Sequence, residues 1–132
     1  MRRVRLTGPR RAPYRNVMAA RRRADYCIVL TTYSRAGVGS AIMRALLAGR
    51  LAACIQVVPI RSHYWWKGKV ARARESLMLI KARAADFGRV KAAILRHHDY
   101  EVPEVVCVGI SRGSAGYLGW MSEVTKRARG AG

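Results

Sequence analysis

Apolar and polar residues follow a strand-like and then a helix-like period from residue 25 onward. The run from Tyr26 to Thr32 is apolar on both faces, which is typical of a central β-strand. Val38, Ile42 and Leu46 then recur at the spacing of one helix face. We therefore predict a buried strand followed by a helix that packs on it.

The next part of the chain predicts a long hairpin. Residues 51–66 are rich in apolar and aromatic side chains, and Pro59 interrupts them where we expect a bend or a bulge. Lys67-Gly68 predicts the turn, because glycine accepts the positive φ of a tight hairpin. The chain then returns as a second strand through residues 70–82.

The remainder predicts a helix, a strand and a last helix. The second helix begins after Asp86, a suitable N-cap, and runs to about His97. Residues 104–111 predict a second buried strand, and residues 115–127 a terminal helix. The order β-α-β-β-α-β with a terminal helix predicts an α+β, ferredoxin-like fold, in which an antiparallel sheet carries helices on one face.

The tip of the hairpin carries three adjacent aromatic residues, Tyr64, Trp65 and Trp66. At least one large ring must therefore leave the core face, whichever way the strand is oriented. The rings either cover a flank of their own subunit or form a partner surface. We favour self-association of the hairpin, which would also protect an open strand edge.

The charge is large and unevenly distributed. The chain has 132 residues with 26 Lys and Arg against seven Asp and Glu, a net charge of +19. Residues 1–24 contain nine arginines and no acidic residue, so we expect a disordered arm. It is a solvated tail, an organelle-targeting peptide or a nucleic-acid-binding arm. One domain is expected over residues 25–128, followed by a short tail at 129–132.

Several functional classes lack support in the sequence. No apolar run is long enough to span a membrane, and the start has no secretory signal, so we expect a cytoplasmic protein unless the arm targets an organelle. The three cysteines are an odd number and have no CxxC spacing, which argues against a disulfide framework. No common catalytic motif occurs, so we expect no enzyme. The basic residues after residue 25 are scattered along the chain, so any nucleic-acid binding is expected to be nonspecific and confined to the arm.

Four motifs resemble the CutA divalent-cation tolerance family. They are Leu51-Ala52-Ala53-Cys54; Tyr64-Trp65-Trp66-Lys67-Gly68-Lys69 with the later Glu75 and Leu79-Ile80-Lys81; His97-His98-x-Tyr100-x-x-Pro103-Glu104; and Tyr117-Leu118-x-Trp120. The resemblance covers about residues 26–127. It implies a ferredoxin-like subunit in a homotrimer, with hairpins that lie across neighbouring subunits. It also implies binding of divalent metal ions, copper especially, and no established catalysis.

The candidate metal ligands are His97, His98 and Glu104, because imidazole suits copper and zinc and carboxylate suits harder ions. Histidines at a helix C-terminus are also favoured by the helix dipole without any metal, so a structural role stays open. Two positions depart from the resembled family. Thr31 stands where some members have a cysteine, and Asp99 replaces the proline that usually follows the second histidine. We therefore expect metal binding that is weaker or differently selective.

The resemblance also implies a cleft between subunits that binds a small anion or a planar ligand. By fold analogy, the nitrogen-regulatory P-II signalling trimers bind ligands in such clefts. The alternative is that the same residues only hold the interface together. The cleft residues are Tyr64, Trp66, Lys69, Lys81, His98, Tyr100, Glu104 and Trp120.

Overall fold

The computed structural model describes residues 24–127, which form four strands and three helices. The elements are β1 (Tyr26–Tyr33), α1 (Ala36–Ala48), β2 (Cys54–Trp66), β3 (Lys69–Arg83), a 3-10 turn (Ala84–Asp86), α2 (Phe87–His97), β4 (Val106–Ile110) and α3 (Ala115–Val124). The expected arm up to residue 23, Ala128 and the tail at residues 129–132 lie outside the described residues.

The four strands form one antiparallel sheet in the order β2-β3-β1-β4. This is the predicted ferredoxin-like arrangement, and β1 lies between two partners, as its apolar faces predicted. Within residues 24–127, no helix is long and apolar enough to cross a membrane.

The two faces of the sheet differ in what covers them. We call the face that packs against α1 and α2 the helix face; it carries Cys27, Val29, Thr31, Tyr33, Met78, Ile80 and Ala82. The opposite face is the open face; it carries Tyr26, Ile28, Leu30, Thr32, Leu77, Leu79, Lys81 and Arg83.

The core lies between the helix face and the first two helices. Ile42 and Leu46 of α1 and Val90 and Ile94 of α2 are completely buried against it. Each such side chain stabilises the fold by about 1.5–3 kcal/mol when it leaves water. Gly39 in the first turns of α1 is also required, because a Cβ at this position would overlap the ring of Tyr33.

The terminal helix α3 packs on the open face. The Tyr26 hydroxyl bonds that of Ser122, and Arg83 donates from Nε to the Thr125 hydroxyl at 2.8 Å and from Nη2 to the Ser122 carbonyl at 2.7 Å. The expectation that the helices share one face therefore holds for α1 and α2 and fails for α3. The helix also ends at Val124 rather than at residue 127.

The hairpin has the predicted tight turn. Lys67 and Gly68 have φ of 49° and 78°, and a type I′ turn requires positive φ at both central residues. The bulge expected at Pro59 is absent from the described strand pairing, since Pro59 pairs with Ser76 without a change of register. Because β2 is an edge strand, a residue without an N–H is tolerated where that group would face away from β3.

The outer half of the hairpin projects beyond the sheet. The pairing of β1 with β3 ends at Tyr33 and Ser76, whereas β2 and β3 continue to the pair Trp66 and Lys69. We call this projection, residues 60–75, the ribbon; at about 3.3 Å per residue it extends roughly 20 Å. A two-stranded ribbon is at best marginally stable alone, so this one is expected to need a covering surface.

The fourth strand and the start of α2 differ from the predictions. β4 is shorter than the expected residues 104–111. Val106 and Val108 are 45% and 51% exposed, because their side chains stand on the open face where no element of residues 24–127 covers them. Asp86 occupies the N-cap position of α2 but makes no capping hydrogen bond. Its buried carboxylate instead receives two bonds from the Arg127 guanidinium, at 2.7 and 2.9 Å.

Candidate functional site

A cluster of polar side chains lies at the base of the ribbon, where β3 leaves β1. Its centre is Glu75, whose Oε2 accepts a hydrogen bond of 2.7 Å from the Tyr100 hydroxyl. That hydroxyl in turn accepts a bond from the Ser34 hydroxyl. Glu75 is also bonded by the side chains of Ser62 and Thr32. The loop after α2 is thereby joined to the ribbon, and we call these residues with His98 the polar cluster.

The cluster shifts the pKa values of Glu75 and Tyr100 in opposite directions. Burial raises the pKa of the Glu75 carboxyl, but hydrogen bonds from Ser62, Tyr100 and Thr32 outweigh it and lower the pKa below the ordinary value. The pKa of Tyr100 is raised to about 12, mainly by burial. The hydrogen bond to Glu75 also raises this pKa, whereas the hydrogen bond from Ser34 lowers it. The cluster therefore holds a carboxylate beside a phenol that stays protonated at neutral pH.

His98 is held by hydrogen bonds on both sides of its ring. Its side chain is 1% exposed, and Nε2 lies 2.7 Å from the Thr32 carbonyl oxygen, which can only accept. The backbone N–H of Tyr100 donates to Nδ1 at 3.1 Å. The proton is therefore on Nε2, and neither ring nitrogen is free for a metal ion. The imidazole also packs against the Tyr100 ring, with centroids 4.5 Å apart.

The other two candidate metal ligands lie at the subunit surface. His97 is the last residue of α2 and is half-buried, while Glu104 is exposed in the loop before β4. Across residues 24–127, no three side chains of His, Cys, Asp or Glu are grouped closely enough to hold a metal ion. A cation site built on His97 and Glu104 would need ligands from a second chain.

The two positions at which the chain departs from the resembled motif lie in different surroundings. Thr31 is completely buried on the helix face, and its Oγ1 has no hydrogen-bond partner among residues 24–127. Asp99 is partly exposed, with its carboxylate 3.7 Å from the Arg35 guanidinium and 3.7 Å from Nδ1 of His98. The side chain of Thr31 therefore faces away from the polar cluster, and Asp99 borders it.

Three of the predicted cleft residues lie on the ribbon and share one side of it. Trp66 pairs directly with Lys69, and Tyr64 lies two residues from Trp66 on the same side. Strand alternation puts them on the side of Glu75, which continues the open face. Tyr64 and Trp66 are 42% and 38% exposed, so this side presents large uncovered rings.

Lys81 contacts Tyr117 of α3 on the open face, and Trp120 lies beside Tyr117. The ammonium of Lys81 donates to the Tyr117 hydroxyl at 3.1 Å and lies 5.0 Å from the centre of that ring. The rings of Tyr117 and Trp120 are in turn 5.5 Å apart at their centroids. This arrangement gives a cation with an aromatic wall, which suits a small anion or a planar ligand.

The structure therefore divides the expected residues into three groups: the ribbon residues Tyr64, Trp66 and Lys69; Lys81 of β3 with Trp120 of α3; and the loop residues His98, Tyr100 and Glu104. The ribbon group and Lys81 belong to the open face, and Tyr100 is joined to this face by its hydrogen bond to Glu75. Residues 24–127 of one subunit leave this face largely uncovered, so a cleft would be completed by another chain.

Sequence reasoning missed several members of the site. The motif that contains Glu75 did not indicate a role for its side chain, although Glu75 is the sole acidic residue between Asp25 and Asp86. That isolation in a very basic chain was an available signal. Nothing in the sequence indicated the hydrogen bonds of Thr32 and Ser34, because they depend on how the loop after α2 folds back.

The chain matches one family along most of its described length. The family described as "CutA1 divalent ion tolerance protein" matches residues 27–124. The divalent-cation tolerance protein CutA of Thermus thermophilus is 38% identical over 99 residues, which are 74% of this chain and 96% of that protein. The chloroplastic protein CutA 1 of Oryza sativa is 33% identical over 102 residues, but the match spans only 58% of the rice protein.

Solved structures agree with the sequence matches. The periplasmic divalent cation tolerance protein CutA from Archaeoglobus fulgidus superimposes with a TM-score of 0.74 at 31% identity, over 76% of this chain and 99% of that one. The divalent cation tolerance protein from Thermus thermophilus gives 0.69 at 38% identity, over 72% and 93%. The similarity therefore covers both the fold and the sequence.

Proposed function

Since this chain belongs to the CutA1 divalent ion tolerance family, we propose that it is a homotrimer that binds divalent cations, copper or zinc, between its subunits and serves metal tolerance without catalysis. The family is named for tolerance and not for a reaction. The observation that carries the proposal is the uncovered open face, which holds the cleft residues Tyr64, Trp66, Lys69 and Lys81 and is incomplete in one subunit.

The assembly is supported by exposed apolar groups on that face. Val58, Val106 and Val108 are 45%, 45% and 51% exposed, and the register puts all three on the open face together with Tyr64 and Trp66. Uncovered apolar surface of this extent is typical of an interface. The two sheet edges, β2 and β4, are different surfaces. A contact between these two unlike edges would be head-to-tail, and a head-to-tail contact whose rotation closes forms a ring, which favours a trimer over a two-fold dimer.

For the cation, we propose His97 and Glu104 as ligands and His98 as the residue that positions the loop between them. An imidazole nitrogen and a carboxylate suit copper and zinc. His98 is assigned the positioning role because its two ring nitrogens already bond Thr32 and Tyr100. The remaining ligands would come from a neighbouring subunit, so binding and assembly should depend on each other.

Calorimetric titration of the metal-free full chain with Cu²⁺ and Zn²⁺ tests this assignment. We expect His97→Ala to weaken binding at least about tenfold, since it removes a ligand. His63→Ala, which changes an exposed ribbon histidine, is the matched control and should bind like the parent.

We expect His98→Ala to lower the thermal unfolding temperature more than His97→Ala does. Undiminished cation binding by His97→Ala would contradict the ligand assignment. Loss of binding by His98→Ala without loss of thermal stability would contradict its positioning role.

A second candidate function is the binding of a small anionic or planar ligand at the same clefts. The contact of Lys81 with Tyr117, whose ring lies beside Trp120, favours it, as does Lys69 on the same face. Lys81→Met should abolish such binding and leave cation affinity unchanged. The relatives lend no support to a signalling role like that of the P-II trimers, nor to nucleic-acid binding by the arm, which lies outside the described residues.

The cytoplasmic location stays a prediction. Relatives of this chain include a chloroplastic protein and a protein described as periplasmic, so members of the family occupy different compartments. A fluorescent fusion carrying the complete N-terminal arm would locate the protein.

A further inference from the structure

The ribbon has a second side that the proposed function does not use, and this side is cationic. Strand register puts Arg61 directly opposite Arg74 and His63 directly opposite Arg72. Trp65 lies opposite Val70 at the end of the same row. These six residues are all exposed, and we call them the cationic side of the ribbon. It continues the helix face of the sheet, whereas Tyr64, Trp66 and Glu75 point to the opposite side.

The arginines of this side form no ion pair within residues 24–127. Among residues 24–127, no carboxylate lies within 4.0 Å of the guanidinium groups of Arg61, Arg72 or Arg74. All seven acidic residues of the chain belong to that range, so the segments outside it contribute no carboxylate side chain. Like charges that face each other across a strand pair destabilise the pair. The protein therefore maintains an unfavourable row of cations.

The row has an open surface cavity at one end and an aromatic ring at the other. A cavity of about 390 Å³ lies at the base of the ribbon, lined by Arg61, Arg74, and the hydroxyl-bearing residues Ser34 and Ser76. Glu75 also lines it, with its carboxylate engaged by Tyr100. At the other end, the indole of Trp65 is 76% exposed. Guanidinium and hydroxyl groups are the usual donors to phosphate oxygens.

We propose that the cationic side of the ribbon binds single-stranded nucleic acid. Its phosphates would follow the row from the cavity between Arg61 and Arg74 past Arg72, and a base would stack on Trp65. Cations that track a backbone, combined with an exposed aromatic ring, are the features by which proteins bind single strands without sequence preference. Assembly through the open face would leave this side at the surface. The site is separate from the N-terminal arm.

Fluorescence anisotropy with labelled oligo(dT) and the full-length protein tests the proposal. The triple variant Arg61→Gln, Arg72→Gln, Arg74→Gln should bind more than about tenfold more weakly. The dependence of log affinity on log salt should also become shallower by about 2, because each phosphate neutralised on a single strand contributes roughly 0.7. The matched control carries Arg44→Gln, Lys91→Gln and Arg96→Gln, which remove the same charge from exposed helix positions.

The control triple should retain most of the affinity, because both triples keep the arm. Equal losses in the two triples would overturn the proposal, since binding would then follow net charge alone. Folding of the ribbon triple is checked by circular dichroism and by its mass in solution. Its unfolding midpoint should rise, because the like-charged pairs are removed.

Stacking is tested separately at Trp65. Trp65→Ala should weaken oligo(dT) binding by about fivefold to a hundredfold, and Trp65→Phe should restore much of it. Blunt duplex DNA of the same length should bind more weakly than oligo(dT). Equal binding of duplex, of inorganic polyphosphate, or of a free nucleotide would overturn the assignment to single strands.

Discussion

Thr31 and Thr32 are adjacent in β1 and point to opposite faces of the sheet, so the same substitution should change stability in opposite directions. Thr31 lies under the helices, is completely buried, and has an Oγ1 without a partner among residues 24–127. Thr32 is 8% exposed on the open face, and its side chain bonds the Glu75 carboxylate. Valine has nearly the same shape as threonine and lacks the hydroxyl.

The expected magnitudes follow from these surroundings. A buried hydroxyl without a partner costs about 1–3 kcal/mol, so Thr31→Val should raise the free energy of unfolding by about 1–2 kcal/mol per subunit. A hydrogen bond to a charged group contributes about 1.5–3 kcal/mol. The methyl group added by Thr32→Val stabilises the fold by about 0.8 kcal/mol through apolar burial. The free energy of unfolding of this variant should therefore fall by about 1–2 kcal/mol.

Equilibrium unfolding in guanidinium chloride measures both variants against the parent. All three are compared at one subunit concentration, because the apparent stability of an oligomer depends on concentration. Shifts of the same sign in both variants would refute the reasoning. So would destabilisation by Thr31→Val, because it would mean that the Thr31 hydroxyl is satisfied.

Three further predictions follow from charged and titratable groups. Because the folded pKa of Tyr100 is raised to about 12 from an ordinary 10.0, its contribution to stability is complete below pH 10 and is lost as pH rises toward 12. The free energy of unfolding of Tyr100→Phe should therefore fall less between pH 10 and pH 12 than that of the parent, as urea unfolding across this range would measure. Arg127→Gln should lower the free energy of unfolding by about 2 kcal/mol, because among residues 24–127 the buried Asp86 would then keep only Arg89, at 3.6 Å; an unchanged midpoint would contradict this. Burial, with a smaller contribution from Cys107, raises the pKa of Cys27 to about 12, so iodoacetamide at pH 8 should leave Cys27 unmodified until the protein is unfolded, as peptide mass mapping would reveal.

The main elements of the fold were predictable because their signals are local. The apolar run from Tyr26 indicated a central strand, and β1 does lie between β3 and β4. Lys67-Gly68 located the turn to the residue, because glycine accepts the positive φ of a tight hairpin. The motifs around the ribbon also identified the family correctly.

Features that depend on register or on packing were not predictable in the same way. The apolar positions of α3 show that it packs on something, but not on which face of the sheet. The basic residues looked scattered because Arg61 and Arg74 are thirteen positions apart in sequence and become neighbours only through strand pairing. The alternation of Arg72 with Arg74 was the one local hint that they share a side.

The candidate site was predicted by residue and not by arrangement. Sequence placed His97, His98 and Glu104 close together along the chain, but it did not indicate that His98 would bond Thr32 and Tyr100. The separation of Lys81 and Trp120 from the loop residues likewise depends on α3 crossing to the open face.

The central inference is that the open face and the ribbon are completed by sister subunits. The most direct measurement is the molar mass of the full-length chain by light scattering coupled to size-exclusion chromatography, over a dilution series. We predict three subunit masses at every concentration down to the detection limit. A stable species of one subunit mass would contradict the assembly and, with it, the clefts proposed between subunits.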